Sequence, residues 1–299
     1  MHKRNNIIIG DLIIDRNYFI TPSGKSAEFN SKKYILIKKN FYLGGAGMVY
    51  VALKKLDKNV DFFTISSKEF KKIFFKLKLK NILFSENFTV EKKRYWEKKK
   101  LNYQLNHIKL NHKEIYKFQS QFLKKINKIK NCSNIILCDY RYGIFSNSFT
   151  KKIIKILKEK KCEIYVDQQS TSFDPDILKF KNTDYLILNK VEFNKIFNRY
   201  KITGKNLLIK LTKLQKIFKI KCFVVKTGSK GCSIFKNNKI IDSKRPKKIN
   251  PTLNTMGAGD YFLASFVYNN DKNLVKRIKL SNNYAFSKII GKSKKININ

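Results

Sequence analysis

The chain has 299 residues, with 65 Lys and Arg set against 21 Asp and Glu, so its formal net charge is +44. That excess points toward anionic partners, but 42% hydrophobic and 13% aromatic residues exclude a disordered polycation. Four Pro and twelve Gly likewise exclude collagen-like and low-complexity architectures.

At the N-terminus a basic start precedes only three isoleucines, Ile7–Ile9. A signal peptide needs an apolar run of about 7–15 residues, and a membrane span about 18. Neither occurs, and the expectation is a cytoplasmic protein with no membrane partner. The five cysteines form no CxxC pair. An odd number of thiols, most of them in apolar runs, fits a reducing compartment.

Apolar runs closed by a polar residue or glycine recur along the chain. Ile7–Ile9 precedes Gly10-Asp11, Ile135–Cys138 precedes Asp139, and Ile164–Val166 precedes Asp167. Tyr185–Leu188 then leads to Asn189, and Cys222–Val225 to Thr227-Gly228. Runs of this kind suit parallel strands covered on both faces. Between them, Lys151–Lys160 and Lys205–Phe218 carry apolar residues at helical spacing. The alternation predicts an α/β fold with a doubly wound, mostly parallel sheet and helices on both faces. Ligands of such sheets bind at the carboxyl ends of strands, where these polar residues gather. Tyr34–Leu43 and Arg94–Leu110 break the pattern and read as alternating strands, expected to form a small β-sheet lid. No linker divides the chain, so residues 1–299 are read as one domain, with lid segments near 16–43 and 88–110.

The sharpest local string is Asn254-Thr255-Met256-Gly257-Ala258-Gly259-Asp260, followed by the apolar stretch Tyr261–Tyr268. A Gly-Ala-Gly turn entering a helix presents unpaired N–H groups and a positive dipole end, which suit phosphate oxygens. A purely structural turn, with Asp260 as a first-turn acid favoured by the dipole, satisfies the same string. Gly44-Gly45-Ala46-Gly47 leads into a second apolar helix, Met48–Leu56. Gly10-Asp11 and Asp15 flank Leu12–Ile14, Asn189 and Glu192 open another helix, and Thr227 to Gly231 forms a turn.

In chain order these strings read GDxxxD, GGxG, NxxE, TGxxG and GAGD, and the ordered set resembles the PfkB/ribokinase family of carbohydrate kinases over nearly the whole chain. Within it the chain is most similar to the kinase module of heptose 7-phosphate kinases, through Gly10–Arg16, Leu43–Gly47, Asp139–Ser146 and Asn283–Lys292. The resemblance implies a ribokinase-like fold and transfer of the ATP γ-phosphoryl group to a sugar or sugar phosphate hydroxyl, with Mg²⁺. Asp260 would be the general base, and Gly257, Ala258 and Gly259 would donate N–H groups to the transferred phosphoryl group. Asn189 and Glu192 would place Mg²⁺ through water. Thr227, Gly228 and Gly231 would line the nucleotide, with Asn283 near its base. Asp15, Gly44, Gly45 and Asp139 would contact the sugar, and Arg94 with Lys92 its phosphate. The lid would pair two subunits.

Several positions depart from the family pattern. Asn254 replaces an Asp associated with a monovalent cation, which leaves potassium dependence open. Met48 and Val49 stand where a sugar-contacting Asn is expected, and Tyr142 and Gln169 where the heptose branch carries lysines. No HxGH string of a nucleotidyltransferase occurs. A nucleic-acid partner is not expected, since the lysines are spread along the chain and no recognition motif accompanies them.

Overall fold

The continuous apolar runs become parallel strands because both of their faces are covered. A computed structural model describes residues 5–98, 100–169, 175–243 and 255–291. In chain order the elements are β1 (Asn6–Gly10), β2 (Leu12–Lys25), β3 (Lys32–Gly45), α1 (Ala46–Lys54), β4 (Val60–Ser67), α2 (Lys71–Lys76) and β5 (Ile82–Ser85). There follow β6 (Thr89–Glu97), β7 (Lys100–Lys109), α3 (His112–Lys125), β8 (Asn134–Asp139), α4 (Asn147–Glu159), β9 (Glu163–Gln168), β10 (Tyr185–Asn189) and α5 (Lys190–Arg199). The remainder comprises α6 (Leu207–Phe218), β11 (Cys222–Lys226), β12 (Cys232–Lys236), β13 (Lys239–Ser243), α7 (Ala258–Tyr268) and α8 (Leu274–Ile289).

The main sheet has nine strands in the order β13-β12-β11-β10-β9-β8-β1-β4-β5. All neighbours from β11 to β5 are parallel, and the β12–β13 hairpin adds an antiparallel edge. Successive side chains of a strand serve opposite cores. Ile7 and Ile9 pack with Phe118, Phe149 and Leu214 on the α3–α6 face, whereas Ile8 packs with Val49, Phe74 and Phe266 on the α1–α2–α7–α8 face. This is a ribokinase-like α/β fold.

A second sheet of four strands, in the order β3-β2-β6-β7, is built from the segments that broke the parallel pattern. β2 pairs antiparallel with β3 and parallel with β6, which carries Lys92 opposite Asp15. Stacked rings bind the strands together: Tyr18 lies on Tyr95 at 4.9 Å and Tyr95 on Tyr103 at 4.4 Å between centroids. On its edge strands β3 and β7, Ile35, Leu36, Ile37 and Leu105 are exposed. Among the described residues, no helix is long and apolar enough to cross a membrane. All five cysteines are free thiols, with only Cys132 exposed.

Candidate active site

The strand-end residues singled out in the sequence converge on one rim of the main sheet. Gly10 and Asp11 lie at the end of β1, Asp139 ends β8, Asn189 ends β10, and Thr227 follows β11. Asp11 is 1% exposed and accepts the backbone N–H groups of Tyr140 (2.8 Å) and Tyr142 (3.2 Å). Burial and the charge of Asp139 push its carboxyl up to about 7, against those donors. Asp11 therefore fastens the loop after β8, and that loop carries Tyr140 into the site.

Asp260 stands in the first turn of α7. Gly257 caps this helix at φ 81°, a left-handed conformation that a side chain rarely adopts. No side chain caps the helix, so the N–H groups of Gly259 and Asp260 have no acceptor within it. The Ala258 N–H differs from expectation, because it donates to the Thr255 carbonyl at 3.1 Å and closes the turn. Of the three N–H groups the string offered, that of Ala258 is therefore already engaged within the turn.

The Tyr140 hydroxyl donates to Asp260 Oδ1 at 3.0 Å. Burial, with the charge of Asp167, pushes the Asp260 carboxyl up to about 7, while Lys226 and the Tyr140 hydrogen bond pull it down. A carboxylate in this range is poised to take a proton near neutral pH. Asp260 also feels the charge of Asp15, so the lid sheet and α7 face one space.

On the lid side, Arg94 pairs with Asp15 Oδ1 at 2.7 Å and donates from Nε to Gln104 at 2.9 Å. Lys92 is partly buried and lies opposite Asp15 in the β2–β6 register. Burial lowers its pKa, offset by Asp15 and Asp260 and reinforced by Arg94. Gly44 is small for a visible reason: a Cβ there would sit 2.4 Å from Asp15 Oδ2. Met48 reaches from α1 toward the Gly257 turn, its Sδ 3.6 Å from where a Cβ on Gly257 would lie, while Val49 is fully buried in the core. Where the family pattern has an amide, this site presents a thioether.

Asp139 is a correction. Expected in the sugar pocket, it is 1% exposed and turned inward, accepting from the Arg141 N–H (2.9 Å), Gln168 Nε2 (2.8 Å) and Lys179 Nζ (2.9 Å). Lys179, itself buried, also reaches the Phe145 carbonyl at 2.9 Å. It supplies a cation near the loop where Tyr142 and Gln169 replace lysines. Nothing in the sequence separated it from its many neighbours of the same kind.

Asn189 and Glu192 form a complete capping box: Asn189 Oδ1 accepts the Glu192 N–H at 2.9 Å, and Glu192 Oε2 accepts the Asn189 N–H at 2.8 Å. Thr227 Oγ1 donates to the Gly231 carbonyl at 2.9 Å, and Gly228 and Gly231 both take positive φ. Asn283 is exposed on α8 in an open groove with Ile241, Lys276 and Lys279. Asn254 lies outside the described residues. Among the described residues no cluster of three or more His, Cys, Asp or Glu forms a cage for a metal. Mg²⁺ on a nucleotide needs only one or two carboxylates, its other ligands being phosphates and waters. Glu192, a single carboxylate in the first turn of α5, fits that requirement.

Lys226, like Tyr140 and Lys179, was not singled out in the sequence. Lys226, the last residue of β11, pairs with Asp167 Oδ1 at 3.3 Å, and its Nζ is 3.4 Å from the point where a Cβ on Gly259 would lie. Burial works against its charge, but Asp167, Glu192 and Asp260 raise its pKa above the usual lysine value.

Asp15 beside Arg94, Asp260 at a glycine-turned helix N-terminus and the ribokinase-like sheet together match the pattern of carbohydrate kinases. The sequence matches the description "pfkB family carbohydrate kinase" over residues 3–292, and the chain belongs to that family. It is 28% identical over 307 residues to the "Bifunctional protein HldE" of Aliarcobacter butzleri (strain RM4018), covering 97% of this chain and 61% of that protein. It is 24% identical to the protein of the same name from Campylobacter jejuni (strain RM1221), covering 95% of this chain and 60% of that one. The chain thus spans about three fifths of the length of these relatives.

Among solved structures, phosphofructokinase-2 from Escherichia coli in complex with fructose-6-phosphate superposes with a TM-score of 0.74 at 12% identity, over 96% of this chain and 94% of that one. Arabidopsis thaliana ribokinase complexed with ribose and ATP gives 0.71 at 16% identity, over 97% and 94%. These likenesses establish the fold.

Proposed function

We propose that this carbohydrate kinase phosphorylates D-glycero-D-manno-heptose 7-phosphate to the 1,7-bisphosphate, using ATP and Mg²⁺. The observation that carries the reading is the position of Asp260, a partly buried base held by Tyr140 at the N-terminus of α7 and facing the Asp15–Arg94–Lys92 cluster. Asp260 takes the proton of the attacking hydroxyl, and the N–H groups of Gly259 and Asp260 receive charge developing on the phosphoryl oxygens. Asp15 orients the sugar hydroxyls, and Lys92 with Arg94 binds the phosphate already on the sugar. Thr227, Gly228 and Gly231 line the nucleotide, with Asn283 at its base. Asn189 and Glu192 would hold Mg²⁺, which when bound would supply positive charge to the nucleotide phosphates.

The heptose assignment draws support from the resemblance carried by Gly10–Arg16, Leu43–Gly47 and Asp139–Ser146, and the lid cations suit an anionic sugar. An ATP-consumption screen over heptose 7-phosphate, hexose phosphates, free sugars and nucleosides tests it. Turnover with heptose 7-phosphate well above the rest is expected, and a preference for an unphosphorylated sugar overturns it.

Met48 favours a second reading, a weakened kinase that holds a sugar phosphate without efficient turnover, because a thioether cannot replace the two-way hydrogen bonding of an amide. Calorimetric binding of heptose 7-phosphate with no ATP consumption identifies that case.

The four-stranded sheet is proposed as the lid of a single cytoplasmic domain. Its exposed Ile35, Leu36, Ile37 and Leu105 suit burial against a second copy. Sedimentation of the wild type and of Ile37→Lys checks this, with a dimer expected for the first and a monomer for the second.

A further inference from the structure

Outside the lid, the described site sets three acids around Lys226, with Lys288 Cε 3.5 Å from the Cβ position of Gly257. Asp167, Asp260 and Glu192 all act on one ammonium group, that of Lys226. On the lid side Arg94 is already paired with Asp15. A polyphosphate entering this space needs a cation on the side of the main sheet, and the geometry there is specific. Lys226 ends β11 immediately before the Thr227–Gly231 turn. Its Nζ lies 3.4 Å from the Cβ position of Gly259, against the backbone whose N–H groups open α7. Its link to Asp167 is a single 3.3 Å contact, longer than the ordinary 2.7–2.9 Å charge-assisted bond, and so weak enough to yield to a ligand.

We propose that Lys226 is a catalytic residue whose ammonium group binds the γ-phosphoryl group of the nucleotide beside the α7 N-terminus. The assignment rests on the kinase reading above. In the transfer step the sugar hydroxyl oxygen forms a new bond to the γ-phosphorus, and the bond from that phosphorus to the β–γ bridging oxygen breaks. The electron pair leaves with ADP, and the hydroxyl proton passes to Asp260. Lys226 gives up no proton. It keeps its charge throughout and balances the negative charge on the transferring oxygens, where a fixed cation is most effective. A Cβ on Gly259 would lie in ordinary van der Waals contact with the ammonium group, which places Lys226 directly against this turn.

The test compares the wild type with Lys226→Met and Lys226→Arg in two measurements. In sugar-dependent ATP consumption, Lys226→Met is expected to lose ~10²–10³-fold in kcat with the sugar KM unchanged, and Lys226→Arg to recover part of the loss. Calorimetry in the presence of Mg²⁺ then compares ADP with the non-hydrolysable analogue AMP-PNP. Lys226→Met is expected to bind ADP like the wild type and AMP-PNP more weakly, because only the analogue carries a γ-phosphoryl group. Unchanged kcat, or an unchanged ratio of the two nucleotide affinities, overturns the proposal. Absence of wild-type turnover with any sugar would instead count against the kinase reading, and the nucleotide ratio would still decide the place of Lys226. Should Lys226→Met unfold because Asp167 loses its partner, Lys226→Met with Asp167→Asn removes the unpaired charge and is measured in the same way.

Discussion

The hydroxyl of Tyr140 donates to Asp260 Oδ1 at 3.0 Å, joining the loop after β8 to the first turn of α7. The bond stabilises the carboxylate form, opposing the burial and the Asp167 charge that push Asp260 up to about 7. A base must be ionised to accept a proton, so kcat should rise with pH through about 7 and level off above it. In Tyr140→Phe the carboxylate loses a donor, and its limb should move to higher pH. A kcat–pH profile of the two proteins checks both the sign and the shift. A limb that stays in place would mean that Tyr140 does not act on the base.

Gly44 predicts a change in sugar affinity. A methyl group there would meet Asp15 Oδ2 at 2.4 Å, and Asp15 cannot swing away without leaving Arg94, 2.7 Å distant. Gly44→Ala should therefore raise the sugar KM about tenfold or more, as expected when a substrate-orienting hydrogen bond of ~1.5–3 kcal/mol is displaced. Nucleotide affinity should be unchanged, which separate titrations of sugar and ADP would show.

Arg277 predicts a change in stability. It is 2% exposed, lies 3.8 Å from the centroid of Phe266, and donates to the hydroxyls of Tyr165 (2.7 Å) and Tyr185 (3.2 Å) and to the Phe266 carbonyl. Arg277→Ala removes these bonds and leaves a cavity between α8 and the sheet, at a cost of about 3 kcal/mol or more. A denaturant midpoint measures it, and activity per folded molecule should be retained.

The sequence carried the parallel strands well, because a strand covered on both faces must be apolar at every position. Ile7–Ile9, Ile135–Cys138 and Tyr185–Leu188 all fall within strands whose ends meet at the site. The lid was less legible. Arg94–Leu110 reads as one alternating stretch but is a hairpin of β6 and β7, turned at Lys98 with φ 53°. Left-handed turns normally advertise themselves through Gly. Here Lys78, Lys98, Lys161, Lys201 and Lys219 occupy such positions, so a lysine-rich chain conceals its own turns. The same background hid Lys226 and Lys179, each a single lysine in a chain with 65 Lys and Arg. Asp139 was misplaced for another reason. A strand-end acid aims outward or inward according to its neighbours, and Gln168 and Lys179 draw this one in.

The central claim, that Asp260 is the base of a sugar kinase, is tested most directly by sugar-dependent ATP consumption in Asp260→Asn. The substitution keeps the shape of the side chain and a possible contact with Tyr140 while removing the proton acceptor. The account predicts a loss of ~10²–10⁴-fold in kcat, with nucleotide binding preserved. Turnover near the wild-type rate would contradict it.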